Sequence, residues 1–206
     1  MTDSPTLTFR PATQDVFDDV ETMLGPKKRP DAIACWCLTY RLGYRTASAL
    51  DAPARRQAVF DSCRRRPEPG VLGYDTAGEV VGWAAVARRS DIAALADRES
   101  FPPIGDGDPW TVFCLRTRGG HRRRGIGQRL LRGAIDFAVD NGADVIDAYP
   151  VDPNGHVSPI FAFPGTRAMF EREGFVVAGA AAPVPGGPGR VAMRLPRVGS
   201  AAVSSE

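Results

Sequence analysis

Residues 119–133 constrain this chain more than any other stretch. They read Gly119-Gly120-His121-Arg122-Arg123-Arg124-Gly125-Ile126-Gly127-Gln128-Arg129-Leu130-Leu131-Arg132-Gly133. An apolar run from Trp110 to Leu115 precedes them, and a helical pattern follows. Ile126, Leu130, Ala134, Phe137 and Ala138 recur at the spacing of one helix face. Strand, glycine turn and amphipathic helix in that order place unpaired main-chain N–H groups at a helix mouth. Such a mouth carries partial positive charge and suits a phosphate. Gly125 and Gly127 remove the Cβ atoms that would hold a phosphate away, and the arginines add charge-assisted donors. The spacing is not that of a dinucleotide-binding fingerprint, and no Gly-Lys-Ser/Thr follows as in a P-loop.

The rest of the chain fits one soluble domain. Its 206 residues are enough to bury a core, and 43% are apolar and 24% charged. We expect a single domain over residues 1–196 and a flexible tail over 197–206. Lys and Arg number 26 against 24 Asp and Glu, a net charge of +2. A dedicated nucleic-acid binder relies on neutralising phosphates, and this balance argues against one. No apolar run is long enough to span a bilayer, and no signal core stands at the start. Cys35, Cys37, Cys63 and Cys114 show neither paired metal spacing nor a disulfide framework, which points to a reducing cytoplasm and to no metal.

Several further elements are legible. Residues 7–10 read as a strand stopped by Pro11, and Thr13 as the cap of a helix reaching Leu24. Residues 32–44 are apolar and aromatic without a clear period. A helix is expected over 54–66, with Val59, Phe60 and Cys63 inward. Residues 71–74 and 80–86 form a hairpin across Asp75-Thr76-Ala77-Gly78. Asn141-Gly142 ends the long helix, 144–149 is a strand closed by Pro150, and 165–173 is a short helix. Strands at 175–178 and 190–195 complete an α/β (α+β) pattern.

Arg122-x-x-Gly125-x-Gly127 resembles the Gln/Arg-x-x-Gly-x-Gly/Ala signature of the GNAT superfamily of N-acetyltransferases. Met169-Phe170-Glu171-Arg172-Glu173-Gly174-Phe175 is similar to the family's Leu-Tyr-Glu-x-x-Gly-Phe segment, and the order of elements agrees. The resemblance spans residues 7–195. It implies a mixed, mostly antiparallel sheet with one splayed parallel strand pair and flanking helices. It implies acetyl-CoA as co-substrate, with its diphosphate on Arg122, Arg123, Arg124, Gly125, Ile126, Gly127 and Gln128. Its pantetheine arm would pair with Leu115, Arg116 and Thr117. The reaction implied is direct acetyl transfer to a primary amine, a protein lysine or a small-molecule amine or hydrazine, by a monomer or homodimer.

The chain departs from the family at Phe170, where many members carry a tyrosine that protonates the leaving thiolate. Either another group serves, or the thiolate leaves unassisted, its conjugate thiol having a pKa of about 8.5. Tyr149 is the substitute acid on this reading and Asp147, with Asp152 beside it, a proton acceptor; an aromatic packed at a strand end and solvated carboxylates are the plainer alternatives. Cys35-Trp36-Cys37 fits packing or the lining of an acceptor cleft better than metal binding, and His121 and His156 fit contact with cofactor or solvent better than catalysis. A non-catalytic acyl-CoA-binding sensor or partner protein is the alternative function.

Overall fold

The computed structural model describes residues 6–29, 31–153, 157–158, 160–183 and 186–196. His156 and the tail over 197–206 lie outside these residues. Seven strands form one sheet in the order β1-β2-β3-β4-β5-β7-β6. They are β1 (Thr8–Pro11), β2 (Val71–Tyr74), β3 (Val80–Arg88), β4 (Trp110–Thr117), β5 (Ile146–Ala148), β6 (Val176–Ala181) and β7 (Arg190–Leu195). All neighbouring pairs are antiparallel except β4 and β5. That parallel pair meets at only three positions, Trp110 with Ile146, Thr111 with Asp147 and Val112 with Ala148. Pro150 follows β5, and β4 continues for five residues beyond the last pairing. The two strands therefore part toward their C-terminal ends.

The helices lie on both faces. One face carries α1 (Phe17–Leu24), α2 (Leu38–Leu42), α3 (Tyr44–Ala49) and α4 (Ala52–Ser62) over Leu72, Trp83, Ala85, Phe113 and Tyr149. The other carries α5 (Ile126–Asp140) and α6 (Arg167–Arg172) over Val81, Val86, Trp110, Val112 and Leu115. Every residue expected on the buried face of α5 is buried, and Leu131 and Ile135 join them. Full burial of a leucine such as Leu130 stabilises by roughly 1.5–3 kcal/mol. The helix comes close because Gly82 has no side chain: a Cβ there would stand 2.6 Å from Leu130. The sheet in turn approaches the helix at Gly133, over which the Phe9 ring packs.

Local chemistry sets the ends. Asp51 caps α4, its Oδ1 accepting from the Ala54 N–H at 2.8 Å. Asp75 Oδ1 accepts from the Ala77 and Glu79 N–H groups in the hairpin, and Gly78 takes the left-handed conformation at φ +79°. Gly142, at φ +83°, ends α5, with Ala143 N–H returning to the Ala138 carbonyl at 2.9 Å. Several boundaries differ from expectation; β1 takes in Pro11, and α4 runs over Ala52–Ser62 rather than 54–66. A 3-10 turn over Gln14–Val16 precedes α1, and Thr13 makes no side-chain cap bond. The stretch over 32–44, unreadable by period, holds α2 and the first residue of α3, broken at Gly43. Strand β5 is three residues long because the chain at Tyr149 and Pro150 has already turned from β4.

Candidate active site

A bulge in β4 prepares the site. Ala85 pairs with Cys114 but Val86 with Val112, so Phe113 is an extra residue. Phe113 and Cys114 consequently both face the α1–α4 side, while Leu115 returns to the α5 side. Beyond the bulge, Leu115, Arg116 and Thr117 form the edge left where β4 and β5 part.

This edge runs into the glycine turn. Gly120 (φ +83°), Arg123 (φ +61°) and Gly125 (φ +75°) all take left-handed backbone, and Gly125 is the N-cap of α5. The Gly125 carbonyl accepts from Gln128 and Arg129. The main-chain N–H groups of residues 122–127 find no protein acceptor among the described residues. Left-handed residues interspersed in such a turn can draw successive N–H groups into one anion-binding concavity. The cleft there is about 1210 Å³, above the roughly 300–1,000 Å³ of ordinary small-molecule pockets. Its walls include Leu115, Arg116, Thr117, Arg122, Arg123, Gly125, Ile126, Gly127 and Gln128, nine of the ten positions expected to bind the carrier. Arg124 is exposed and does not line it. Gln128 lines it, but its side chain serves the protein: its amide donates to the Met169 carbonyl at 3.0 Å and to Glu173 at 2.7 Å. The opposite wall comes from Glu21, Thr22, Met23, Pro26 and Lys27, at the end of α1.

One feature of the gap was invisible in the sequence. The Leu115 N–H donates to the Phe163 carbonyl at 2.6 Å. Two residues later the Gly165 carbonyl accepts from Val151 N–H, and Arg167 N–H donates back to Val151. Residues 163–167 thus bridge from β4 to the extension of β5 across the splay. Phe163 is held from behind by the Tyr40 ring, edge-on at 5.7 Å.

Asp147 and Tyr149, expected as proton acceptor and acid, do not line the cleft. Asp147 is fully buried and clasped by its cross-strand partner Arg194, Nε at 2.7 Å and Nη2 at 3.0 Å. Burial raises its pKa against the pull of Arg194. The Tyr149 hydroxyl donates to the Pro102 carbonyl at 2.7 Å and accepts from Arg89 at 2.7 Å. Burial raises its pKa as well. Arg89 also holds the Leu95 and Phe101 carbonyls, so Tyr149 belongs to a knot that fixes the loop after β3. The signal for these roles was long-range pairing, 47 and 60 residues apart in sequence. Phe170 is buried edge-on against Phe175 under Gly165, inside the α5-side core. Asp152 pairs with Arg167 at 3.2 Å.

Cys35 is exposed, whereas Cys37 is buried with its Sγ 3.1 Å from that of Cys114. Both are free thiols, and Trp36 between them stacks on Phe17. No group of three His, Cys, Asp or Glu able to hold a metal occurs among the described residues.

A parallel pair that parts, a bulge before the gap and a run of free amides at one helix mouth define the fold and its candidate site. Residues 36–175 match the Acetyltransferase (GNAT) family, and the chain belongs to it. No curated protein sequence matches the chain. Among solved structures it is similar to the histone acetyltransferase HPA2 and related acetyltransferase from Corynebacterium glutamicum, with 22% identity, 97% and 99% of the two chains covered and a TM-score of 0.53. It is also similar to the ribosomal-protein-S18-alanine N-acetyltransferase from Escherichia coli (15%, 98% and 99%, 0.51). Arylalkylamine N-acetyltransferase 2 from Aedes aegypti is a further likeness (11%, 92% and 98%, 0.54). At these identities the likeness is one of fold. The family match makes this protein an N-acetyltransferase.

Proposed function

We propose that this protein transfers the acetyl group of acetyl-CoA to a primary amine, on a protein lysine or a small molecule, by direct attack. The observation that carries this reading is the set of unpaired N–H groups over residues 122–127, opening into the same cleft as the backbone edge at Leu115. The carrier's diphosphate would sit on those amides and on Arg122 and Arg123, the latter two supplying charge-assisted bonds. The Leu115 N–H would donate to the thioester carbonyl, strongest when charge builds on that oxygen. The Phe163 carbonyl and the acyl carbonyl compete for this one donor, so residues 163–167 must shift as the acyl group enters.

The amine lone pair attacks the thioester carbon, the carbon–sulfur bond breaks, and an amide forms. The amine proton passes to water in the open cleft; Glu21, the carboxylate on its wall, is engaged by Arg56 at 2.8 Å. We propose that the thiolate leaves unassisted. Phe170 has no proton to give, and the Tyr149 hydroxyl already donates to Pro102. Asp147 and Tyr149 act by holding β5 and its flanking loop in place. Four free cysteines fit a reducing cytoplasm, and no described helix is long and apolar enough to cross a membrane.

The test is release of free CoA from acetyl-CoA across a panel of amines, hydrazines and lysine peptides, with the product identified by mass. Acceptor-dependent thiol release and a product 42 mass units heavier are expected, the mass added by replacing one hydrogen with an acetyl group (from ~1 to ~43). Tight CoA binding with no product on any acceptor would favour a sensor.

A further inference from the structure

Arg116 sits beside the proposed reacting carbon and has no ion-pair partner among the described residues. It is the residue after Leu115 on the free edge of β4, so its side chain leaves the strand on the opposite face, over Trp83, its cross-strand partner. That is the face of α1 and α2. Arg116 lines the cleft and is half-buried. The ion pairs among the described residues involve Arg10, Arg56, Arg66, Arg118, Arg132, Arg167 and Arg194, and none involves Arg116. Lys27 on the facing wall carries the same sign, and its ammonium donates to the Thr22 carbonyl. Lys27, from the segment after α1, has its ammonium pKa lowered by burial and then by the charges of Arg116 and Arg118.

Two cations that line one cleft without an ion-pair partner among the described residues, its wall carboxylate Glu21 being engaged by Arg56, are costly unless a ligand supplies the anion. The diphosphate does not fill this role on the present geometry, because its cradle is at the mouth of α5, on the other face of β4. We infer that Arg116 and Lys27 form a carboxylate subsite at the acyl end of the cleft, so that one reacting partner carries a carboxylate next to its reactive group. An amino acid whose own α-carboxylate lies beside the amine fits this, as does a dicarboxylic acyl chain. The inference deepens the acetyl-transfer reading and rests on it for the position of the reacting carbon.

The test has two arms on the full-length protein. In the first, equilibrium binding in the presence of CoA, and turnover with acetyl-CoA, are measured for lysine against cadaverine and for phenylalanine against phenethylamine. In the second, acetyl-CoA is compared with succinyl-CoA on one neutral amine. We expect at least a tenfold preference for the carboxylate-bearing member in one arm, and that arm identifies which partner brings the anion. In Arg116→Gln the preference should fall to near one, and in Lys27→Gln, at a more exposed position, it should fall in part. No preference in either arm for the wild-type protein overturns the subsite. So does a preference that survives Arg116→Gln, or loss of CoA affinity in that variant with the preference intact, which would assign the guanidinium to the carrier. Carboxylate-selective binding without turnover on any amine would leave the subsite standing and remove the catalytic reading instead.

Discussion

Gly127 is where the phosphate cradle meets its simplest chemical challenge. A Cβ there would touch only the flexible tip of Met169, at 3.3 Å, so the fold can accept it. The same atoms would stand in the cleft. Gly127→Val should weaken CoA binding by roughly tenfold or more, with an unchanged circular dichroism spectrum and melting temperature, because a side chain at the helix mouth holds the phosphate off its amides. Gly125 is a poorer probe, since its φ of +75° makes any substitution strain the start of α5. Asp147 calls for the opposite outcome. Asp147→Ala leaves the Arg194 guanidinium without its carboxylate at a mostly buried position, and should cost about 3 kcal/mol in a urea titration. At a temperature where that variant is folded, its rate should stay near wild type. A large rate loss in a fully folded Asp147→Ala protein would return the residue to the chemistry.

At the scale of elements, the glycine turn and α5 were legible because their signals are local. Apolar spacing, two glycines and an Asn-Gly stop lie within one stretch of chain. The family resemblance then implied the mixed sheet and its splayed parallel pair around them. The α2–α3 region was not legible, because Gly43 divides it into helices too short to show a period. The roles of Asp147 and Tyr149 were hidden for another reason. Their partners Arg194 and Arg89 are brought in by the sheet and by the loop after β3, and nothing near either residue in sequence announces them. The bridge over residues 163–167 follows the same rule, since the Leu115–Phe163 bond joins positions 48 apart. That bridge has a consequence for binding. Phe163→Gly removes the ring that packs on Tyr40 and loosens the competitor for the Leu115 N–H. Acetyl-CoA should then bind roughly 3–10-fold more tightly, the free energy of displacing the bridge having been reduced. Weaker or unchanged affinity by calorimetry would mean that the bridge and the carrier do not compete.

For the whole molecule, alkaline stability follows from two buried groups on the α1–α4 side. Burial pushes the Cys63 thiol up to about 11 from 9.0 and the Tyr40 phenol up to about 12 from 10.0. Both pKa values are higher folded than unfolded, so above pH 9 the folded chain holds protons that the unfolded chain releases. Stability should be constant with respect to these groups below pH 9 and should fall as pH rises through 11 and 12. The urea midpoint at pH 8, 9.5 and 11 checks this, and a midpoint flat across that range would contradict it. The sheet, the two helical faces and the splay at β4 and β5 converge on one place, the mouth of α5. Titration of ¹⁵N-labelled protein with acetyl-CoA reads that place amide by amide. The largest downfield proton shifts should fall on Gly125, Ile126 and Gly127, with a further change at Leu115 as its N–H exchanges the Phe163 carbonyl for the carrier. Shifts confined to other surfaces, with these four amides unmoved, would contradict the account.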